Sequence, residues 1–147
     1  MVGNLDETED ETQIRRGSNL ERSFSETTVV LIDRGANAYV LHENGEYVVG
    51  RDKDPDDKTK VVLKHDSFFS QESYDSVSRK HCRITLSDEG VFVSDGYFDE
   101  KGVYRTSKNH TFVNSKMIRA NCELRHGDCL ELGPSYKLGV FIGQINF

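Results

Sequence analysis

Three short runs concentrate the residues of this chain that could do chemistry: Gly50-Arg51-Asp52, Ser78-Arg79-Lys80-His81 and Asn109-His110-Thr111-Phe112-Val113-Asn114. Each borders an apolar, β-branched segment, so each is expected at a strand end, where connecting loops carry function. A guanidinium, a hydroxyl, further cations and a side-chain amide brought together are what a phosphorylated side chain requires. Phosphate at pH 7 carries about −1.5 to −2 charge and several acceptor oxygens, and arginine meets that array with paired planar donors. Taken singly the runs are weak signals. Gly-Arg is commonly a turn with a solvated cation, Ser-x-x-His a turn with a structural histidine, and Asn-x-Thr a loop. A different chemistry is open to the same residues: Ser78 and His81 could serve a β-sandwich hydrolase as nucleophile and base. No Gly-x-Ser-x-Gly elbow and no evident orienting acid accompany them. Kinase motifs are missing as well, with no Gly-rich phosphate loop, His-Arg-Asp or Asp-Phe-Gly. Cys122, His126 and Cys129 offer three ligands where structural zinc takes four, so no metal and no cofactor are expected.

The elements that must position these runs read as strands. Val29 to Ile32, Ala38 to Leu41 and Tyr47 to Arg51 are short apolar runs, and Asn44-Gly45 between the last two is a strong hairpin signal. Val61 to Leu63 follows a polar stretch, and residues 64–78 read as a long Ser-rich loop. Cys82, Ile84 and Leu86 alternate with Arg83 and Thr85, as in a half-buried strand. Val91 to Val93, Thr111 to Val113 paired with Met117-Ile118, Cys129 to Leu132, and Lys137 to Phe147 complete the series. No segment has helix caps and a 3.6 period. About ten or eleven short strands with turns between them predict an all-β fold, a two-sheet antiparallel β-sandwich.

The chain has 147 residues and a net charge of −6, unevenly spread. Residues 1–13 hold five acids and no Lys or Arg, which leaves 20 acids against 19 bases in the rest. Residues 1–26 lack a sustained apolar period, so a disordered acidic tail is expected there and a folded domain over 27–147. The near-neutral remainder lacks the basic face that nucleic acid demands. No apolar run reaches membrane-spanning length, and neither partner is expected. Three cysteines without a CxxC pair fit a reducing compartment.

Order and spacing raise the three runs above their separate weight. Gly50-Arg51, Ser78 to His81, Asn109-His110-Thr111 with Val113-Asn114, and Gly127-Asp128 with Leu132-Gly133 together resemble the signature of the forkhead-associated (FHA) domain over about residues 29–147. The run Gly50-Arg51-Asp52-Lys53, the long loop before Ser-Arg-Lys-His, and Thr-Phe-Val-Asn followed by a non-glycine are similar to the FHA region of checkpoint kinase 2 relatives. The resemblance implies an SMAD/FHA-like sandwich that is not itself an enzyme and that binds phosphothreonine-containing protein segments. It implies that Arg51, Ser78 and Arg79 meet the phosphate, that Asn109 bonds the peptide backbone with Lys108 adding charge, and that Ser76 influences the residue three after the phosphothreonine. Gly50, His81, Thr111 and Asn114 would support the site. It also implies the regulatory N-terminal part of a Ser/Thr kinase in DNA-damage or meiotic checkpoint signalling, nuclear and cytoplasmic, with the catalytic domain beyond Phe147. An FHA adaptor of a non-kinase nuclear protein is the alternative. Thr12, followed by Gln13, and Ser18, after Arg15-Arg16-Gly17, are candidate phosphorylation sites. Phosphorylated Thr12 would fit the pocket of a second copy. His110 and Ser115 stand where the family commonly has glycine. A positive φ at His110 would be strained, and a different turn is the alternative.

Overall fold

The computed structural model describes residues 25–52, 59–64 and 71–146, with side chains over 27–52, 59–64 and 71–143. Thirteen strands and one helical turn are found among them: β1 (Ser25–Ile32), β2 (Ala38–Leu41), β3 (Gly45–Gly50), β4 (Lys60–Val62), α1 (Gln71–Asp75), β5 (Cys82–Ser87), β6 (Gly90–Asp95), β7 (Tyr97–Phe98), β8 (Tyr104–Arg105), β9 (Thr111–Val113), β10 (Lys116–Ile118), β11 (Cys122–Glu123), β12 (Cys129–Leu132) and β13 (Tyr136–Asn146). They form a six-stranded sheet in the order β10-β9-β12-β13-β1-β2, a five-stranded sheet in the order β11-β6-β5-β3-β4, and a two-stranded ribbon, β7-β8. The two larger sheets make the β-sandwich that the strand pattern predicts.

The unit Val29–Ile142 contains this core. Val29 and Leu31 of β1, Ile84 and Leu86 of β5, and Leu130 and Leu132 of β12 are all buried, each burial stabilising by about 1.5–3 kcal/mol. In β5 the alternation is complete: Cys82, Ile84 and Leu86 face the core while Arg83, Thr85 and Ser87 do not. The other unit comprises the terminal segments, of which the described parts, Ser25–Thr28 and Gly143–Asn146, are extended.

Five features depart from expectation. Asn44-Gly45 does not close a hairpin: β2 is the edge of the six-stranded sheet and β3 lies inside the five-stranded one, so the chain changes layer there. A two-residue turn signal records a reversal but not which sheet receives the next strand. The β3-β4 ladder is parallel, Val48 to Gly50 beside Lys60 to Val62, where an all-antiparallel sandwich was expected. The strand count exceeds ten or eleven because β7, β8 and β11 are two residues each, too short to show periodicity. The segment read as loop contains α1, a single turn of five residues with no buried side chain, likewise too short for a 3.6 period. β1 opens at Ser25, inside the segment given to the tail. Residues 1–24, with Thr12 and Ser18, lie outside the described residues.

Candidate functional site

The end of β3 and the segment before β5 are laced together through their backbones. The Arg51 amide donates to the Ser78 carbonyl at 3.3 Å, the Asp52 amide to Arg79 at 2.9 Å, and the His81 amide to Val49 at 2.8 Å. This lacing needs glycine at position 50, because a Cβ there would lie 2.1 Å from the Arg79 carbonyl oxygen. Arg51 is then fixed from two sides. Its Nε donates to the Val77 carbonyl, and its guanidinium carbon sits 5.6 Å from the centre of the Tyr74 ring. The four N–H groups of its two η nitrogens are what the side chain has left to offer.

Ser78 is held by three contacts. Its amide donates to His81 Nδ1 at 2.9 Å, its carbonyl receives Arg51, and its Oγ accepts the Lys108 amide at 3.0 Å. A hydroxyl that accepts from a backbone N–H retains its own proton for an outside acceptor. His81 is fully buried, and its Nε2 lies 2.7 Å from the His110 carbonyl oxygen. A backbone amide can only donate and a carbonyl only accept, so the ring is the neutral Nε2–H tautomer. Burial lowers its pKa below 6.5 accordingly, against the smaller opposing pull of the His110 carbonyl. Neither ring nitrogen faces Ser78 Oγ, so the nucleophile–base pair of a hydrolase is not assembled.

A second hub positions the segment that carries Lys108. Buried Asp95 accepts from Ser107 Oγ at 2.5 Å and Thr111 Oγ1 at 2.7 Å on one oxygen, and from the Ser107 amide at 3.2 Å on the other. Between those anchors His110 adopts φ 69°. The position keeps the left-handed conformation that glycine would adopt freely, rather than a different turn, and its carbonyl is held by His81 and by the Gly133 amide at 2.9 Å. Asn114 and Ser115, with φ 51° and 71°, form the turn between β9 and β10, the two-residue hairpin geometry that requires positive φ at both positions. Asn114 Nδ2 donates to Asp128 at 2.9 Å and its Oδ1 accepts the Cys129 amide at 2.9 Å, while the Ser115 amide donates to Glu131 at 2.7 Å.

These elements enclose a cavity of ≈ 650 Å³. Arg51, Ser78, Arg79, Lys108 and Ser76, all singled out in the sequence, line it. Asn109 does not: its Nδ2 donates to the Ser76 carbonyl at 2.8 Å, because the turn after α1 passes within reach. Sequence reasoning missed Lys80, Arg105 and Tyr97 in the same wall, and the Asp95 hub behind it. Lys80 was visible inside the Ser-Arg-Lys-His run, and Arg105 begins an Arg-Thr-Ser-Lys cluster directly before Asn109. Five basic side chains thus line the cavity against two acids, Asp52 and Asp75, and Asp52 pairs with Lys60 at 3.1 Å. Two of the three candidate metal ligands have partners of their own. Cys122 Sγ donates to the Glu123 carbonyl at 3.7 Å, and His126 Nδ1 accepts the Ile142 amide at 3.0 Å.

The fold is similar to several solved structures. A chain from a structural and functional analysis of phosphothreonine-dependent FHA domain interactions superposes with a TM-score of 0.52 at 23% identity, over 79% of this chain and 95% of that one. The FHA domain of an Arabidopsis thaliana hypothetical protein gives 0.54 at 19%, over 85% and 92%. Mycobacterium tuberculosis EmbR, in complex with a low-affinity phosphopeptide, gives 0.54 at 17%, over 78% of this chain and 24% of EmbR. No curated protein matches the chain. The family model of the FHA domain matches residues 47–133, from β3 through the turn after β12, taking in Arg51, Ser78 and Asn109; the chain belongs to the FHA domain family.

Proposed function

We propose that the chain is a phosphothreonine-peptide recognition module that performs no catalysis of its own. One observation carries this: the Ser78 hydroxyl, which accepts the Lys108 amide at 3.0 Å and keeps its own proton to donate, opens on a cavity that Arg51, Arg79 and Lys108 also line. In this reading Arg51 is the principal anchor of the phosphate, with Ser78, Arg79 and Lys108 around it. Asn109 orients the peptide backbone from the rim with the second N–H and the oxygen of its amide, and Ser76 faces the residue three beyond the phosphothreonine. Each charge-assisted hydrogen bond contributes about 1.5–3 kcal/mol. Three or four, less the cost of ordering a peptide, give an affinity on the order of 1 μM. Preference for threonine over serine rests on one methyl group, about 1–3 kcal/mol.

The finer context extends the family reading. The similarity of the Gly50 to Lys53 and Ser78 to His81 runs to checkpoint kinase 2 relatives supports a regulatory region of a Ser/Thr kinase, in DNA-damage or meiotic checkpoint signalling in the nucleus. Thr12-Gln13 amid acids supports docking of phosphorylated Thr12 into the cavity of a second copy. Sedimentation of the Thr12-phosphorylated chain tests that point, a monomer at high concentration ruling it out. The binding function is tested by calorimetric titration with a phosphothreonine peptide and its unphosphorylated twin. The expected result is binding of the first only, weakened about 10- to 100-fold by Arg51→Ala. Equal binding of both peptides, or no loss on Arg51→Ala, overturns it.

A further inference from the structure

The basic cavity holds more positive charge than one phosphate neutralises. Arg51, Arg79, Lys80, Arg105 and Lys108 line it. Of the acids around them, Asp52 is balanced by Lys60 at 3.1 Å. Asp75 is exposed and accepts Gln71 Nε2 at 2.9 Å, and Asp99 accepts Arg105 Nε at 3.1 Å. With Asp75 and Asp99 set against the five cations, about three positive charges remain, and a phosphate at pH 7 takes up about 1.5 to 2 of them. Arg79, Lys80 and Lys108 form no ion pair among the described residues. The cations also rest on different supports. Arg51 lies against the Tyr74 ring, 5.6 Å from its centre. Lys80 Nζ lies 5.0 Å from the centre of the Tyr97 ring, and Tyr97 stands opposite Arg105 in the β7-β8 ladder. Arg105, tied to Asp99 through Nε alone, keeps the four N–H groups of its η nitrogens, and Lys80, resting on a ring face, keeps its ammonium donors. At ≈ 650 Å³ the cavity is of the size that takes a whole small-molecule ligand, well beyond one phosphate.

We propose that Lys80 and Arg105, held beside Tyr97, form a second anion subsite, which takes another phosphate or a carboxylate of the same peptide on the N-terminal side of the phosphothreonine. The inference rests on the phosphothreonine reading, in which Arg51 and Ser78 hold the first phosphate and Ser76 faces the residue three beyond it. The side follows from the wall. Ser76 belongs to the end formed by Asn109 and Gly133: its carbonyl accepts Asn109 Nδ2 at 2.8 Å, and its Oγ would lie 3.1 Å from a Cβ on Gly133. Lys80 belongs to the end formed by the ribbon. Ser78 stands between them in the chain, so a peptide that passes Ser78 toward Ser76 comes from the ribbon. A compact volume of ≈ 650 Å³ is on the order of 11 Å across, and an extended chain advances about 3.3 Å per residue. The second anion therefore falls about two to four residues before the phosphothreonine. A planar fork and a point charge together suit the oxygens of a phosphate better than the two of a carboxylate. Arg105 is 57% exposed, so a carboxylate gains there only what a surface ion pair gives.

The test uses the full chain and fluorescence anisotropy at about 0.15 M salt, where the Debye length of about 8 Å confines charge effects to the neighbourhood of the cavity. The probes are phosphothreonine peptides of neutral sequence, each with Ala, Glu or phosphoserine at one position before or after the phosphothreonine. The expected result is one position, two to four residues before it, at which phosphoserine binds about ten-fold more tightly than Ala and Glu about two-fold. A gain from phosphoserine alone makes a second phosphorylated residue the source of the anion, and a gain shared by Glu admits an acidic residue as well. Lys80→Gln and Arg105→Gln each bring the ratio of phosphoserine to Ala affinity down to about three or less. Arg51→Ala weakens every peptide and keeps that ratio. Because Arg105→Gln deprives Asp99 of its partner, Lys80→Gln decides if thermal unfolding of the arginine variant comes early. The proposal is overturned if an anion helps equally at every position, if it helps only after the phosphothreonine, or if the ratio is undiminished in Lys80→Gln. If the peptides with Ala at every varied position bind no better than their unphosphorylated twins, it is the phosphothreonine reading itself that has failed.

Discussion

At the residue scale the site is held by a histidine that never touches the outside. His81 is a bracket: its Nδ1 takes the Ser78 amide and its Nε2–H holds the His110 carbonyl, so one neutral ring ties two site loops together. Protonation at Nδ1 would replace an acceptor by a donor facing an N–H. The folded pKa lies below 6.5 because burial disfavours the cation, so between the folded value and 6.5 the unfolded chain binds the extra proton. The stability His81 contributes is thus complete above pH 6.5 and is lost as pH falls through the folded pKa, with a slope approaching about 1.4 kcal/mol per unit. Urea midpoints between pH 7.5 and 5 are expected to fall accordingly, and the fall is expected to shrink in His81→Gln. A midpoint independent of pH would remove His81 from this role. The other bracket end, His110, is strained at φ 69°. Left-handed backbone costs an L-residue about 1–2 kcal/mol, partly offset by the freedom glycine loses on folding. His110→Gly is therefore expected to raise stability by up to about 1 kcal/mol in urea unfolding with an unchanged m-value. A drop in stability would mean that the imidazole itself is held. Ser78, His81 and Asn114 could be picked out from motif order because their types are fixed by local geometry. Where Asn109 points could not, because its partner, the Ser76 carbonyl, arrives on a turn that follows one five-residue helix.

At the scale of elements, the lacing of β3 to the Ser78–His81 segment decides whether Arg51 and Ser78 share a cavity at all. Gly50 is the narrow point. A methyl there would sit 2.1 Å from the Arg79 carbonyl oxygen and 2.7 Å from that of Ser78, and backbone oxygens cannot rotate away as a side chain would. Gly50→Ala is expected to cost about 1–3 kcal/mol by overpacking. It should also weaken phosphopeptide binding by an order of magnitude, although it removes no contacting group; full affinity in a folded Gly50→Ala variant would show that the lacing is dispensable. Strands whose alternation spans five or six residues, such as β5 with Cys82, Ile84 and Leu86 buried, were legible because half-burial writes a period into the sequence. The β7-β8 ribbon was not. Two residues per strand hold no period, yet this ribbon supplies Tyr97 and Arg105 to the cavity. The Asn44-Gly45 turn was legible as a turn and misleading as a hairpin, since the strand after it pairs with β5 and β4 across the sandwich.

At the scale of the whole molecule the charge runs against the ligand. The chain carries −6, whereas five basic side chains are gathered in one cavity. Most of the excess acid is in residues 1–13, whose five carboxylates have no base among them, while the remaining residues balance to −1. Long-range repulsion and short-range capture are therefore separable by ionic strength. The Debye length is about 30 Å at 0.01 M salt and about 8 Å at 0.15 M, so the acidic segment acts on an approaching peptide in dilute buffer and little in concentrated buffer. Contacts inside the cavity, at hydrogen-bond distance, persist in both. Replacing Asp6, Glu7, Glu9, Asp10 and Glu11 by their amides is expected to raise the association rate of a phosphothreonine peptide a few-fold at low salt. It should have no effect near 0.5 M and should leave the dissociation rate unchanged throughout, as stopped-flow measurements would read directly. If the dissociation rate moved instead, the acidic segment would be competing for the cavity at close range rather than shaping the field outside it.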